Sequence, residues 1–413
     1  MRDADRPVHP PHLPAKPPLL DPSAMRILYH HRIASKDGQI THIEEMVDAL
    51  RALGHEVQIV GPDVHQADTG QGGSAGWVGR LKATLPGAVY ELAEAAYSLV
   101  AYRRLKAAVA SFRPDVIYER YALFQPAGVW VSRATGIPLL LEVNAPYALA
   151  RRKYNQLRLG WLADRFERFT LCGATTVFPV TQVLGDMLVG MGVQRPRIRV
   201  VPNGINPDNF ASLPSAEAAK ARFGLASRTV IGFIGFVREW DHLDRIVTWL
   251  SRRPADDGAC LMVVGDGPVR AALAAQAQAL GIAHKLVFTG VLPRSEVPAA
   301  AMAFDVALQT ALVPYASPLC LFEYMAMGKA ILAPDQPNHH EVLVQDVDCT
   351  MYPPDAAAGI EQQLDRLLAD AGLRERIGAQ ARQALRDRGY YWEGNARRVV
   401  GAAEAVLGVT TPA

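Results

Sequence analysis

The 413 residues, half of them apolar and a fifth charged, suffice to bury more than one core, so two α/β domains are the expectation. A formal net charge of +2 leaves no surplus of Lys and Arg to neutralise many phosphates, which argues against a nucleic-acid binder. The four cysteines, Cys172, Cys260, Cys320 and Cys349, lie far apart without C-x-x-C spacing, the pattern of buried thiols in a reducing compartment and not of a zinc site.

Residues 1–24 are crowded with proline, which removes amide donors, and an extended, disordered tail is expected there. From Met25, "MRILYH" reads as a buried parallel strand, followed by the loop "HRIASKDGQIT" and a helix beginning near Thr41. Ile43, Met46, Val47, Leu50 and Leu53 have helical spacing, and Gly54 supplies a left-handed stop. "EVQIVGP" is the next strand. Residues 77–110 carry long apolar faces with Arg80, Lys82, Arg103, Arg104 and Lys106 interleaved. A core helix with a solvated basic face is the first reading of that stretch, and contact with a membrane surface the second.

Strand-like runs recur at "PDVIYER", "IPLLLEV", "TTVFPVT" and "IRVVPNG", each followed by a loop or helical pattern, as in a doubly wound parallel sheet. The first domain is expected over residues 25–210. A second series, "TVIGFIG", "CLMVVGDG", "KLVFTG", "FDVALQ" and "KAILAP", places another such domain over residues 211–388. Residues 389–413 read as a closing helix that crosses back to the first domain. No apolar run reaches the ~20 residues that span a bilayer, and the N-terminus lacks a secretory apolar region, so a cytoplasmic protein is expected, at most peripheral at the inner membrane face.

The stretch "SPLCLFEYMAMGKAILAP", residues 317–334, carries the strongest chemical signal. Ser317 is a suitable N-cap and Pro318 suits the first helical position. The amides of Leu319, Cys320, Leu321 and Phe322 would then hold a diphosphate with the helix dipole, without a metal. Glu323, one turn in, could accept hydrogen bonds from ribose hydroxyls, or simply complement the dipole; the residues alone support both readings. In "DGQITH", Gly38 permits close approach of backbone to phosphates or acceptor. "IYERY" and "LLLEVNAP" put Glu119, Arg120 and Glu142 at strand ends, either to supply charge there or as an ordinary ion pair. "VVGDGP" lacks the G-x-G-x-x-G spacing, so a dinucleotide site is weakly supported.

With "VVPNGINPDNF" and "GFIGFVREWDHLD" added, the chain from Met25 to about residue 400 resembles the retaining glycosyltransferases of family 4. That resemblance implies the GT-B fold: two Rossmann-like domains facing across a cleft, the sugar nucleotide held mainly by the second. It implies that Arg238 faces the diphosphate, that Glu323 is the second acid of the family's Glu-x7-Glu pair, and that Val291 and Leu292 contact the base. Tyr315 stands at the place of the first acid, Asn144 at that of a His near the reacting sugar, and Cys320 replaces a Lys. His42 follows the first loop and is a weak acceptor candidate with Glu119, Arg120 and Glu142.

The implied activity is transfer of a hexose or N-acetylhexosamine from a UDP- or GDP-sugar to an acceptor hydroxyl, such as that of a glycan, polysaccharide end or lipid-linked saccharide. No cofactor or metal is expected. A sugar-nucleotide 2-epimerase of the same fold and a catalytically silent nucleotide-sugar-binding module are the alternatives.

Overall fold

The computed structural model describes residues 24–33, 38–62, 87–254, 256–356 and 358–409. The chain forms two compact units, one of residues 1–179, 184–201 and 396–413, the other of residues 180–183 and 202–395. The Pro-rich segment to residue 23, Arg80 and Lys82 lie outside the described residues.

The first unit holds a five-stranded, wholly parallel sheet in the order β2-β1-β3-β4-β5. Its strands are β1 (Arg26–His30), β2 (Glu56–Val60), β3 (Val116–Arg120), β4 (Leu139–Val143) and β5 (Thr176–Pro179). All of β1, β3 and β4 is buried, which explains why their middles are apolar instead of alternating, with His30, Glu119, Arg120 and Glu142 set toward their carboxyl ends. The helix after β1 spans Gly38–Ala52 and ends before Gly54, whose φ of +88° suits glycine. It starts three residues earlier than expected because Ile40 extends the apolar spacing of Ile43 and Val47, so Gly38 opens the helix and does not lie in the loop. "IRVVPNG" forms no strand of its own. The Arg199 and Val201 amides bond to the Val177 and Pro179 carbonyls alongside β5, and Pro202 then ends the pairing.

The helix Gly87–Phe112 matches the expected core helix in its second half, where Ala101, Leu105 and Val109 are buried and Arg103, Arg104 and Lys106 exposed, and departs from it in its first half. Its carboxylates turn inward: Glu91 accepts the Arg158 and Leu159 amides at 2.6 and 2.7 Å, and Glu94 pairs with Arg151 at 2.6 Å. Leu92 and Leu99 are 53% and 59% exposed.

The second unit holds a six-stranded parallel sheet in the order β11-β10-β9-β6-β7-β8. The strands are β6 (Thr229–Ile234), β7 (Ala259–Val264), β8 (Leu286–Gly290), β9 (Val306–Leu308), β10 (Ala330–Pro334) and β11 (Thr350–Tyr352). Two apolar cores sandwich it, one containing Phe304, Phe322 and Met325, the other Trp249, Ile360 and Ile377. The last helix, Trp392–Leu407, begins in this unit and continues in the first, where Ala396, Val399 and Ala403 are buried.

Candidate active site

Ligands of open parallel sheets bind outside the carboxyl ends of the strands, so each unit is described at that edge. In the second unit, the loops after β6 and β7 meet backbone to backbone. A Cβ on Gly265 would lie 2.0 Å from the Gly235 carbonyl oxygen, and one on Gly267 2.1 Å from that of Val237, so only glycine fits. The Gly235 amide donates to Val264 and that of Val237 to Asp266, at 3.1 and 2.8 Å. This rigid path delivers Arg238. Its guanidinium carbon is 4.8 Å from the Phe236 ring centroid and 5.0 Å from that of Trp240. Aromatic faces aim the group without consuming its N–H donors, whereas a paired carboxylate would consume them.

Asp241 closes the next turn by accepting the Arg238 amide at 2.8 Å. Burial pushes its carboxyl up to about 6, with the Arg238 amide and guanidinium opposing the shift.

The helix Leu319–Met327 is moored at the same edge. The buried Tyr324 hydroxyl accepts the Ile234 amide at 2.9 Å and donates to the Leu308 carbonyl at 3.3 Å, linking the helix to the ends of β6 and β9. Cys320 donates its thiol to Gln309 Oε1 at 3.3 Å. Burial and the nearby Glu323 and Asp241 carboxyls push that thiol far above its ordinary value, so it stays neutral. Glu323 is half-buried.

Two expectations are corrected here. Ser317 does not cap this helix: its hydroxyl accepts the Asn203 amide at 3.2 Å and its carbonyl the Asn203 side chain at 2.5 Å. Pro318, in extended conformation, is the N-cap, and Leu319 the first helical residue. The Leu321 amide donates to the Pro318 carbonyl at 3.2 Å, so it is not available to an anion, and the Leu321 and Phe322 side chains belong to the core. Val291 follows Gly290 and is 79% exposed, whereas Leu292 packs on the core. The Tyr315 carbonyl accepts the Thr181 hydroxyl at 2.9 Å.

In the first unit, the strand register gathers a polar cluster. Arg120 lies opposite Glu142 and Tyr29 opposite Tyr118, and the period of two puts all four on one face. The buried Glu142 carboxylate takes five partners. Oε1 receives Arg120 and, at 2.5 Å, Asn144 Nδ2; Oε2 receives Tyr118 at 3.0 Å and Tyr29 at 3.4 Å, and lies 2.9 Å from His42 Nε2 as an ion pair. Burial works to raise this carboxyl, but His42, Arg120 and the Asn144 hydrogen bond together hold it well below the usual range. Burial and the same carboxylate in turn raise both tyrosines.

Glu119 is not part of this cluster. It points to the opposite face, where it meets His30 Nδ1 at 2.6 Å and packs on the backbone of Gly128. Arg120, Glu142, Asn144 and His42 are thus brought together, while Glu119 forms a separate buried pair. Sequence reasoning missed Tyr29, Tyr118, Asn203 and Gln309. For Asn203 the signal lay in "VVPNG", a polar residue amid an apolar stretch. Among the described residues no group of three or more His, Cys, Asp or Glu side chains could hold a metal ion.

Residues 37–204 match the family model of the glycosyl transferase 4-like domain, and residues 216–384 that of the glycosyl transferases group 1. The chain belongs to the family 4 type of GT-B glycosyltransferases. Among solved structures, this glycosyltransferase is similar to the sucrose-phosphate synthase of Thermosynechococcus elongatus, with a TM-score of 0.74 and 17% identity, covering 93% of this chain and 99% of that one. Anabaena HepE in complex with UDP is similar at a TM-score of 0.67 and 16% identity, covering 92% and 100%.

Among curated relatives, the 2-deoxystreptamine glucosyltransferase of Streptomyces kanamyceticus is 32% identical over 44% of this glycosyltransferase and 49% of its own length. The chain therefore spans about half the length of the first such relatives it matches. A GDP-mannose-dependent alpha-mannosyltransferase of Mycolicibacterium smegmatis is 24% identical over 90% of this chain and 94% of its own.

Proposed function

We propose that this chain moves a hexose or N-acetylhexosamine from a nucleotide diphosphate sugar to an acceptor hydroxyl, with retention at the anomeric carbon and without a metal. The observation that carries this reading is the aromatic-held Arg238 on the same strand edge as the first turn of Leu319–Met327. The diphosphate takes the bidentate guanidinium, the Leu319 and Cys320 amides and the helix dipole; Glu323 accepts the ribose hydroxyls. As the anomeric C–O bond breaks, its electrons pass to the leaving phosphate oxygen, whose growing charge Arg238 stabilises. The acceptor oxygen bonds to the anomeric carbon on the same face, and its proton passes to that phosphate oxygen.

Donors named for relatives and structural neighbours support both UDP- and GDP-sugars. The relatives named above are transferases, so a 2-epimerase is not favoured. Calorimetric titration with UDP and GDP in EDTA is the test. Micromolar-range binding of one nucleotide is expected, weakened at least tenfold by Glu323→Ala; no binding of either defeats the reading.

The acceptor side is proposed to work at a membrane surface, in glycolipid or polysaccharide synthesis inside the cell. Leu92, Leu99, Arg103 and Lys106 fall at helical spacing on one face of Gly87–Phe112, all exposed, and Trp161 is 71% exposed in the same unit. Among the described residues no helix is long and apolar enough to cross a membrane. Vesicles of anionic lipid are expected to float the protein at low salt, and Leu92→Glu with Leu99→Glu to abolish it; equal flotation of that double variant removes the idea.

A further inference from the structure

Away from the nucleotide edge, the second unit holds a cavity of about 350 Å³, within the size range of small-molecule sites. Met302 and Ala326 line it. They stand just before β9 and β10, so the cavity lies at the amino ends of those strands, whereas Arg238 follows the carboxyl end of β6. Its walls are largely apolar: Phe210, Leu213, Met302 and Ala326 pack on the core beneath and keep part of their surface open. Among the described residues no carboxylate lines it, but two arginines of the helix Ala371–Arg388 do, Arg382 and Arg386.

These two cations are differently employed. Arg382 is committed: Nε donates to the Ala326 carbonyl at 3.1 Å and Nη2 to that of Met327 at 2.8 Å, where the charge offsets the negative end of Leu319–Met327. Arg386, one turn further on, is exposed, and among the described residues its guanidinium has no hydrogen bond, ion pair or ring contact. The adjacent Asp387 accepts Gln383 Nε2 at 2.7 Å instead. The hydroxyl of Tyr391, another lining residue, has no hydrogen bond among the described residues either. A last-turn cation suits the dipole of its own helix, which would account for Arg386 on a flat surface. Here it borders an apolar hollow, and an uncommitted guanidinium fork with a hydroxyl among apolar walls is the complement of an acid head on an alkyl chain.

We propose that this cavity binds a medium-chain alkyl carboxylate, its head paired with Arg386 and its tail covering Phe210, Leu213, Met302 and Ala326. One uncommitted guanidinium supplies one charge and a planar fork, which match a carboxylate and leave the second charge of a phosphate monoester unpaired. The lining shares no residue with the nucleotide edge, so the site is independent of the transferase reading.

Calorimetric titration of the full chain with sodium decanoate, below its micelle-forming concentration, is the test. A Kd of about 100 μM or tighter is expected. Octanoate and hexanoate should each bind at least threefold more weakly than the acid two carbons longer, where complete burial of two CH2 groups would give about fifteenfold. Arg386→Ala is expected to weaken decanoate about fivefold, the effect of one exposed ion pair, and to leave decanol unchanged. Ala211→Trp fills the rim from an exposed lining position whose φ of −71° and ψ of −31° accept any side chain, and should abolish binding of both. Thermal midpoints close to the native value establish that the two variants fold.

Decanol or decyltrimethylammonium binding within threefold of decanoate, or decyl phosphate binding more than fivefold tighter, overturns the carboxylate assignment. No decanoate binding by about 1 mM, or native affinity in either folded variant, overturns the site. So does a dimer that Ala211→Trp dissociates, which would seat a second copy of the chain in the cavity. Saturating UDP or GDP should leave decanoate in place; displacement would put the ligand at the nucleotide edge and sink the inference. Failure of both nucleotides to bind defeats the transferase reading alone.

Discussion

Arg238→Ala is expected to lower kcat/KM by about 100- to 1000-fold, the usual effect of removing one preorganised charge stabiliser from a leaving group. The side chain is exposed and rests on Phe236 and Trp240, so its loss costs only about 0.5–1 kcal/mol of stability. The separation of the two effects is the point of the experiment: a large kinetic loss in a protein that unfolds at nearly the native denaturant concentration. Arg238→Lys keeps the charge but not the planar fork, and should recover part of the rate. Steady-state kinetics in which the alanine variant stays within fivefold of the native protein would show that the diphosphate does not use this group.

Glu142→Ala is expected to destabilise the first unit by about 3–5 kcal/mol, because it strips a buried carboxylate from Arg120 and His42 and leaves those groups without compensation. The tyrosine hydroxyls of Tyr29 and Tyr118 lose the same acceptor. Hydrogen exchange is the suitable measurement, since two units need not unfold as one. Amides of β3 and β4 should lose protection strongly while those of β6 and β7 keep theirs. Unchanged protection in β3 and β4 would mean that the cluster contributes little to holding the sheet edge together. Breaking one member of such a pair is costly even where a well-packed apolar replacement of the whole cluster would not be.

Both predictions rest on residues of unequal legibility. The strands stand out in the sequence because fully buried parallel strands are continuous apolar runs: "MRILYH", "IPLLLEV" and "CLMVVG" match β1, β4 and β7 closely. β11 does not stand out, since its three residues start at a Thr and run into Pro353, whereas the equally short β9 lies in the longer apolar run "FDVALQ". Arg238 and the helix after Pro318 are local features, a cation after a strand and a turn before an apolar face, and both could be marked from spacing. The first turn of that helix could not be read fully. Whether Ser317 caps it depends on Asn203, more than a hundred positions away. The Glu142 cluster is harder still. Alternation along β3 separates Glu119 from Arg120, but which strand lies beside it, and in what register, is a property of the whole sheet.

The return of residues 396–409 to the first unit has a consequence for how such proteins can be recombined. Neither unit is a continuous piece of chain, and both matched domains stop before this last segment. A chimera that exchanges the second unit for a relative's must therefore leave Ala396, Val399 and Ala403 in their native context, or the first unit is given a foreign patch of its own core. Exchange points before Pro202 and before Ala396 follow that division except at residues 180–183; a single junction near residue 210 does not.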